Sequence, residues 1–236
     1  MNYKRLLLLI SVIAIWAGTA LAEFIEVPSV TYPTSVPTIS RTFTWSCEGK
    51  TFRWLIQIPR DLLDYSKSLK TKFLVSFRAL TEYPCDVTYW LRDTTNRRFI
   101  QFLADRLSKA ARWAGFDRID TAQLVISFVQ AIPYQTRLPQ LPVQTLAEGG
   151  DCDCKSILAA ALLDAMGYKV AFLVFSDHVA VGIAFYTWES PRVSPAWYWE
   201  WEGRRFYYAE TTSPGWRIGE LPEEFISKKA TVCPVN

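Results

Sequence analysis

Histidine is almost missing from this chain: 236 residues contain one, His178. Chemistry that needs an imidazole base has a single residue to use, and any scheme built on two imidazoles is excluded. An excess of one charge is missing too. Lys and Arg number 26 against 23 Asp and Glu, a formal net charge of +3. With no basic block or Lys/Arg stripe, nucleic acid is not an expected partner. Internal repeats and low-complexity tracts are also absent. The length then suits one good hydrophobic core, or a core with a small appendage.

The opening 22 residues read as a secretory signal. Lys4 and Arg5 form a charged start, Leu6 to Trp16 an apolar stretch, and Ala20-Leu21-Ala22 a small-x-small cleavage pattern. An uncleaved anchor is the alternative, although a helix from Leu6 to Ala22 reaches only roughly 25 Å. A membrane enters the expectation only in that case, and the localisation expected is secreted or extracytoplasmic. Losing Lys4 and Arg5 brings the net charge from +3 to +1.

Five cysteines in an oxidising compartment leave one unpaired: Cys47, Cys85, Cys152, Cys154 and Cys233. If Cys152 stays free, the expected pairs are Cys47 with Cys85 and Cys154 with Cys233.

Glu23 to Ser40 carries Pro28, Pro33 and Pro37 and reads as an extended, poorly packed leader. Thr42–Ser46 and Thr51–Ile58 are aromatic and β-branched around Gly49, which predicts a β-hairpin ended by Pro59. A short helix is expected over Asp61–Leu69. Lys72–Leu80 and Val87–Leu91 read as further extended segments. Arg97–Ala114 has helical periodicity closed by Gly115, and Asp120-Thr121-Ala122-Gln123 has capping-box spacing for a helix ended before Pro133. Leu138–Val143, with two prolines, reads as a loop. The domain boundaries that follow are 1–22, 23–40, 41–95 and 96–236.

The stretch Gly149-Gly150-Asp151-Cys152-Asp153-Cys154-Lys155-Ser156 runs into an Ala- and Leu-rich segment that stops at Gly167. From Ile157 to Leu163 it is apolar all round, as a buried helix is. Two glycines allow a sharp entry, and Cys152 falls at the first turn, where unpaired N–H groups and the helix dipole favour a thiolate. Lys169–Phe175 and Val179–Phe185 then read as buried strands joined at Ser176-Asp177-His178. With a period of two, His178 shares a face with Ala180, Gly182 and Ala184. That face is nearly bare of side chain, and the Cys-bearing helix is expected to pack on it. Trp197–Trp201 and Arg205–Thr211 are strand-like around a Glu202-Gly203 turn, with Glu210 near the end of the second.

Three pieces thus follow in order: a cysteine at a helix start, a histidine at a strand start and a carboxylate at a strand end. Gly149-Gly150-Asp151-Cys152, Asp177-His178-Val179-Ala180-Val181-Gly182 and Tyr207-Tyr208-Ala209-Glu210-Thr211-Thr212 together resemble the transglutaminase-like superfamily in its microbial branch. The resemblance spans Asp120 to Leu221, taking in Phe128–Tyr134 before the site and Gly215–Gly219 after it. It implies an α+β, papain-like transglutaminase core, a buried Cys-bearing helix on an antiparallel sheet, preceded here by the hairpin and helical region. It also implies Cys152 as nucleophile, His178 as base and then acid, and Glu210 as the group that orients the imidazole. Two positions depart from the family: its third residue is usually Asp, and Cys154 stands where an acidic or small residue is common.

The chemistry expected is attack on an amide carbonyl of a protein or peptide, with a thioester intermediate resolved by water or by a second amine. The oxyanion donors are left unassigned, with the Cys152 N–H and, second, Gln130 as candidates. Trp188, Trp197, Trp199 and Trp201, with Tyr198, Phe206, Tyr207 and Tyr208, cluster between His178 and Glu210. Trp197, Trp199 and Trp201 share a strand face expected to fill the core, and aromatics near the cleft, Trp199 included, are candidate substrate walls. Three rivals use the same residues: a binding module without turnover, disulfide exchange through Cys152-x-Cys154, and a zinc site from Cys152, Cys154, His178 and Cys233. The C-x-C spacing is too tight for common zinc sites, and neither a metal nor an organic cofactor is expected.

Overall fold

The computed structural model describes residues 24–29, 35–69, 84–91 and 93–235. The expected signal segment and the Lys72–Leu80 reading lie outside those residues. Among them, no helix is long and apolar enough to cross a membrane.

The predicted hairpin is present and longer than its aromatic core. Strands β2 (Thr38–Cys47) and β3 (Lys50–Pro59) pair antiparallel, with Cys47 opposite Lys50. Glu48 and Gly49 both take positive φ, 46° and 73°, the geometry that matches the twist of a tight hairpin. The leader is not loose where it is described. Phe24–Glu26 forms β1, parallel to β3, and Val27 is buried. Pro28 and Pro37 sit outside the paired stretch, so they do not block the ladder. Helix α1 (Arg60–Ser68) follows Pro59 directly.

Val87–Leu91 is not extended but belongs to a 3-10 segment, Pro84–Leu91. Helix α2 (Thr94–Trp113) buries the stripe Phe99, Ile100, Leu103, Leu107 and Ala110, and Asp93 caps it by accepting from the Asn96 N–H at 2.9 Å. Helix α3 (Arg118–Gln130) begins earlier than expected. Its cap is Asp117, which accepts from the Asp120 N–H, so Asp120 is inside the helix rather than its start. The loop reading of Leu138–Val143 also fails in its second half. Pro142 opens helix α4 (Pro142–Glu148), because proline at the first helical position gives up only an N–H that has no internal partner there.

Helix α5 (Cys152–Ala165) is buried almost throughout and ends at Gly167, φ 80°, as the sequence predicts. It lies between α2, α3 and α4 on one side and the larger sheet on the other. That sheet is antiparallel throughout and runs β6 (Tyr198–Trp201), β7 (Arg204–Ala209), β5 (Val179–Ala184), β4 (Lys169–Val174), β8 (Thr231–Pro234). The molecule is therefore a mixed α+β protein. The small sheet joins the same core, since Phe43, Trp45 and Trp54 set their rings 5.1–5.3 Å from Phe128 of α3.

The helix packs on the face opposite to the one expected. Val179, Val181 and Ile183 meet α5, whereas Ala180 and Ala184 belong to a second apolar cluster with Leu173, Phe175, Phe206, Tyr208 and Phe225. The space left by Gly182 is filled from the next strand: a Cβ there would stand 2.8 Å from that of Phe206. The large β-branched face offers the helix more apolar area to bury, and the bare face admits aromatic rings instead.

The disulfide pattern also differs. Cys85 bonds to Cys233, with Cα atoms 5.1 Å apart, and Cys47, Cys152 and Cys154 are free. The 3-10 segment lies along β8, which brings Cys85 to Cys233. Cys47 turns instead into the core near Ser127, and Cys154 points to the Leu138 carbonyl at 3.4 Å.

Candidate active site

The entry to α5 is set by backbone. Gly149 has φ 80°, and a side chain there would meet the Pro133 carbonyl at 2.6 Å. Gly150 accepts from the Gln135 N–H and donates to the Pro133 carbonyl, so it lies in a short parallel bridge with Tyr134. Cys152 emerges from this turn at the first helical position, half-buried. Its backbone N–H is among the four donors that a helix leaves without an internal acceptor.

Strand register brings the histidine and the carboxylate together. Val181 stands opposite Ala209 and Gly182 opposite Tyr208. Continuing that antiparallel ladder puts Glu210 level with Ala180, hence one diagonal step from His178 on the same face. The longer reach of Glu over Asp suits this diagonal. His178 Nε2 lies 3.1 Å from Glu210 Oε2 and 3.3 Å from the Tyr208 hydroxyl. The Cys152 thiol lies close enough to the same imidazole to raise its affinity for a proton. The structure therefore places Cys152, His178 and Glu210 in one constellation.

Glu210 is 2% exposed, and its carboxylate is well supplied with donors. The Tyr208 hydroxyl donates to Oε2 at 2.6 Å, and Oε1 accepts from the N–H groups of Thr211 and Thr212 and from the Thr212 hydroxyl at 2.7–2.9 Å. Burial pushes the carboxyl up, but its hydrogen bond to His178, the imidazole charge and these donors outweigh burial and lower it to about 2. Burial likewise pushes His178 down. Hydrogen bonds to Cys152 and Glu210, and the charges of both, reverse that and raise it to about 9. Both shifts favour an imidazolium held against a carboxylate.

Residues without an expected role hold the parts together. Ser156, one turn beyond Cys152, donates to the Val179 carbonyl at 3.0 Å and touches the Thr211 hydroxyl at 3.1 Å. Lys155 is fully buried, and its ammonium donates to the carbonyls of Gln130, Ile132 and Thr212 at 3.1, 2.8 and 2.8 Å. The cysteine helix, the end of α3 and the turn after Glu210 thus share one cation. Burial lowers this ammonium to about 8, partly countered by the charge of Glu210. A lysine in the first turn of a helix that becomes wholly apolar from Ile157 was the one signal of this role in the sequence.

Gln130 and Trp199 take other positions than expected. The Gln130 amide donates both hydrogens to backbone, at 2.8 Å to the Glu210 carbonyl and 3.0 Å to the Trp216 carbonyl, so it has none for an oxyanion. Trp199 backs the site from behind, its ring 5.5 Å from Phe175 and 6.2 Å from Tyr208. Nor do Trp197, Trp199 and Trp201 fill the core: β6 is the sheet edge, and Trp201 is 43% exposed.

Cys154 is turned away from Cys152, because residues two apart on a helix do not face one another. It is buried, and burial first, with the nearby Asp153 and Asp151 charges, pushes its thiol up. Cys47 is likewise pushed up by burial, to about 12. With Cys233 in a disulfide, the four-ligand zinc set is not assembled. Asp151, Asp153 and Cys154 do bring one ligand atom each within 4.8 Å of one another. Burial and then the neighbouring Asp151 raise Asp153 to about 8, whereas Asp151, pushed up by burial, is lowered in balance by Asp153 and by the Arg137 N–H that it accepts at 2.9 Å.

Comparison with models of known protein families finds no match, and none is found among characterised proteins or solved structures.

Proposed function

We propose that this protein is an exported cysteine enzyme acting on amide carbonyls of proteins or peptides, built on a papain-like core of the transglutaminase-like kind. One observation carries the reading: the chain's single imidazole lies 3.1 Å from a buried carboxylate, with the Cys152 thiol near enough to raise its affinity for a proton. In this scheme Cys152 passes its proton to His178 Nδ1 and the sulfur attacks the carbonyl. The oxyanion forms at the start of α5, where the Cys152 N–H and the helix dipole favour negative charge. The imidazolium then gives its proton to the departing amine, leaving a thioester. Water, deprotonated by His178, releases a carboxylate and restores the thiol; a lysine amine in its place would cross-link two chains. Glu210 holds the imidazole plane and balances its charge throughout. Hydrolysis is the outcome proposed, since water is always at hand. The Cys85–Cys233 disulfide is compatible with an oxidising, extracytoplasmic setting.

Alkylation mapping tests this. Mature protein without reductant is treated with iodoacetamide between about pH 5 and 9, and each cysteine is read by mass spectrometry. Cys152 is expected to react first and to slow about a hundredfold or more in His178→Ala. Equal rates in the two proteins, or Cys152 found bonded to Cys154, would overturn the reading. The disulfide-exchange alternative makes Cys154→Ser as damaging as Cys152→Ser, whereas the proposal makes it nearly silent.

A further inference from the structure

The segment after Glu210 returns across the sheet face that carries His178. Its 3-10 turn, Glu223–Phe225, lays the Phe225 ring flat on the imidazole, centroids 4.7 Å apart and planes at 20°. Phe225 is 8% exposed and also meets Phe175 at 4.9 Å. On its outer side the Lys228 ammonium sits 4.8 Å from the ring centroid, and the same ammonium bonds Asp177 at 2.7 Å. Asp177 is the residue next to His178. The stack is therefore closed into a loop: imidazole, phenyl ring, ammonium, carboxylate, and back along the chain to the imidazole.

Glu210 fixes one nitrogen of the His178 ring, and in the proposed scheme Cys152 engages the other, which leaves the ring able to tip about the line joining them. A flat contact on one face removes that freedom. The face of an aromatic ring also attracts a cation, so the contact is better for imidazolium than for neutral imidazole. It covers one side of the ring.

We propose that Phe225 is a positioning residue for the site: its ring, pinned from outside by Lys228 and Asp177, holds the His178 imidazole in the plane that serves Cys152. The proposal rests on His178 being the base of that site. A cleft aromatic delivered by a segment beyond Glu210 was not signalled by any motif in the sequence.

The test uses the fact that His178 is the only histidine, so its ring resonances are a single assignable set by NMR. Three variants are compared with wild type in the full mature chain: Phe225→Tyr, which keeps the ring, Phe225→Leu, which keeps apolar bulk without it, and Lys228→Gln. Read out are the His178 titration midpoint, the pH profile of Cys152 alkylation, and the melting temperature. The charged groups facing the imidazole, Cys152, Glu210, Tyr208 and, across the ring, Lys228 with Asp177, are unchanged in both Phe225→Leu and Phe225→Tyr apart from the added hydroxyl. Phe225→Tyr is expected to match wild type. Phe225→Leu is expected to lower the imidazolium's proton affinity and the Cys152 rate by about tenfold each. A leucine variant that titrates and reacts like wild type overturns the proposal and makes Phe225 plain packing. Should Phe225→Leu not fold, Lys228→Gln decides: its lost charge by itself would raise the midpoint, so the rate is read, and Cys152 alkylation must slow by a smaller factor, an unchanged rate overturning the proposal. If wild-type Cys152 is unreactive yet the leucine variant still moves the His178 midpoint, Phe225 positions the ring and the enzyme reading is what fails.

Discussion

Glu210 and His178 carry opposite proton linkages, and the two can be separated by pH. A carboxyl lowered to about 2 contributes stability that is present above its ordinary value of 4.5 and is lost as the pH falls through 2. An imidazole raised to about 9 contributes stability that is full below 6.5 and is lost as the pH rises through 9. Glu210→Gln is thus expected to cost about 3 kcal/mol near neutrality and to flatten the acid limb of urea stability measured against pH. His178→Ala should flatten the alkaline limb instead. Lys155→Met tests the buried cation. It strips donors from three carbonyls at once, and denaturant midpoints are expected to show a loss of about 2–4 kcal/mol. Cys152, His178 and Glu210 were legible as candidates because each residue type is rare or sits at a marked place in the pattern. Their supporters were not. Lys155, Ser156 and Phe225 act through partners 23 to 57 residues away in sequence, and nothing local encodes the partner.

Elements place these residues through two close approaches. At Gly149 the positive φ and the Pro133 carbonyl both exclude a side chain. Gly149→Ala is expected to cost about 1–3 kcal/mol and, by displacing the start of α5, to slow Cys152 alkylation in protein that still folds. Gly182 tests the opposite face. Gly182→Ala would press on Phe206, a strand neighbour, costing about 1–3 kcal/mol without touching α5. An equal loss of helix protection in hydrogen exchange would contradict the packing described. The misread face has a simple cause. A row of small residues announces that something comes near, but not which element; here the aromatic strand β7 took the place assigned to the helix. Proline explains the loop reading of Leu138–Val143. It ends one helix before Pro133 and opens another at Pro142, and its meaning depends on which end of the element it occupies.

Across the whole molecule, one covalent link joins residues 148 apart, so reduction should be felt globally. Cys85→Ser with Cys233→Ser is expected to lower stability by about 2–5 kcal/mol, measured by urea unfolding, and reductant should then have no further effect. A reductant effect that persists in the double variant would point to a bond among Cys47, Cys152 and Cys154. By itself the sequence determined the elements whose period or punctuation is local: the β2–β3 hairpin, the α5 helix with its apolar Ile157–Leu163 stretch and its glycine entry and exit, the β4–β5 pair, and the order of cysteine, histidine and carboxylate. Tertiary structure alone decided which cysteines pair, which sheet face receives the helix, and which side chains lock the imidazole. Those choices depend on how far-apart segments compete for the same buried surface, and the outcome is set by the sum of area buried and hydrogen bonds satisfied rather than by any short stretch of chain.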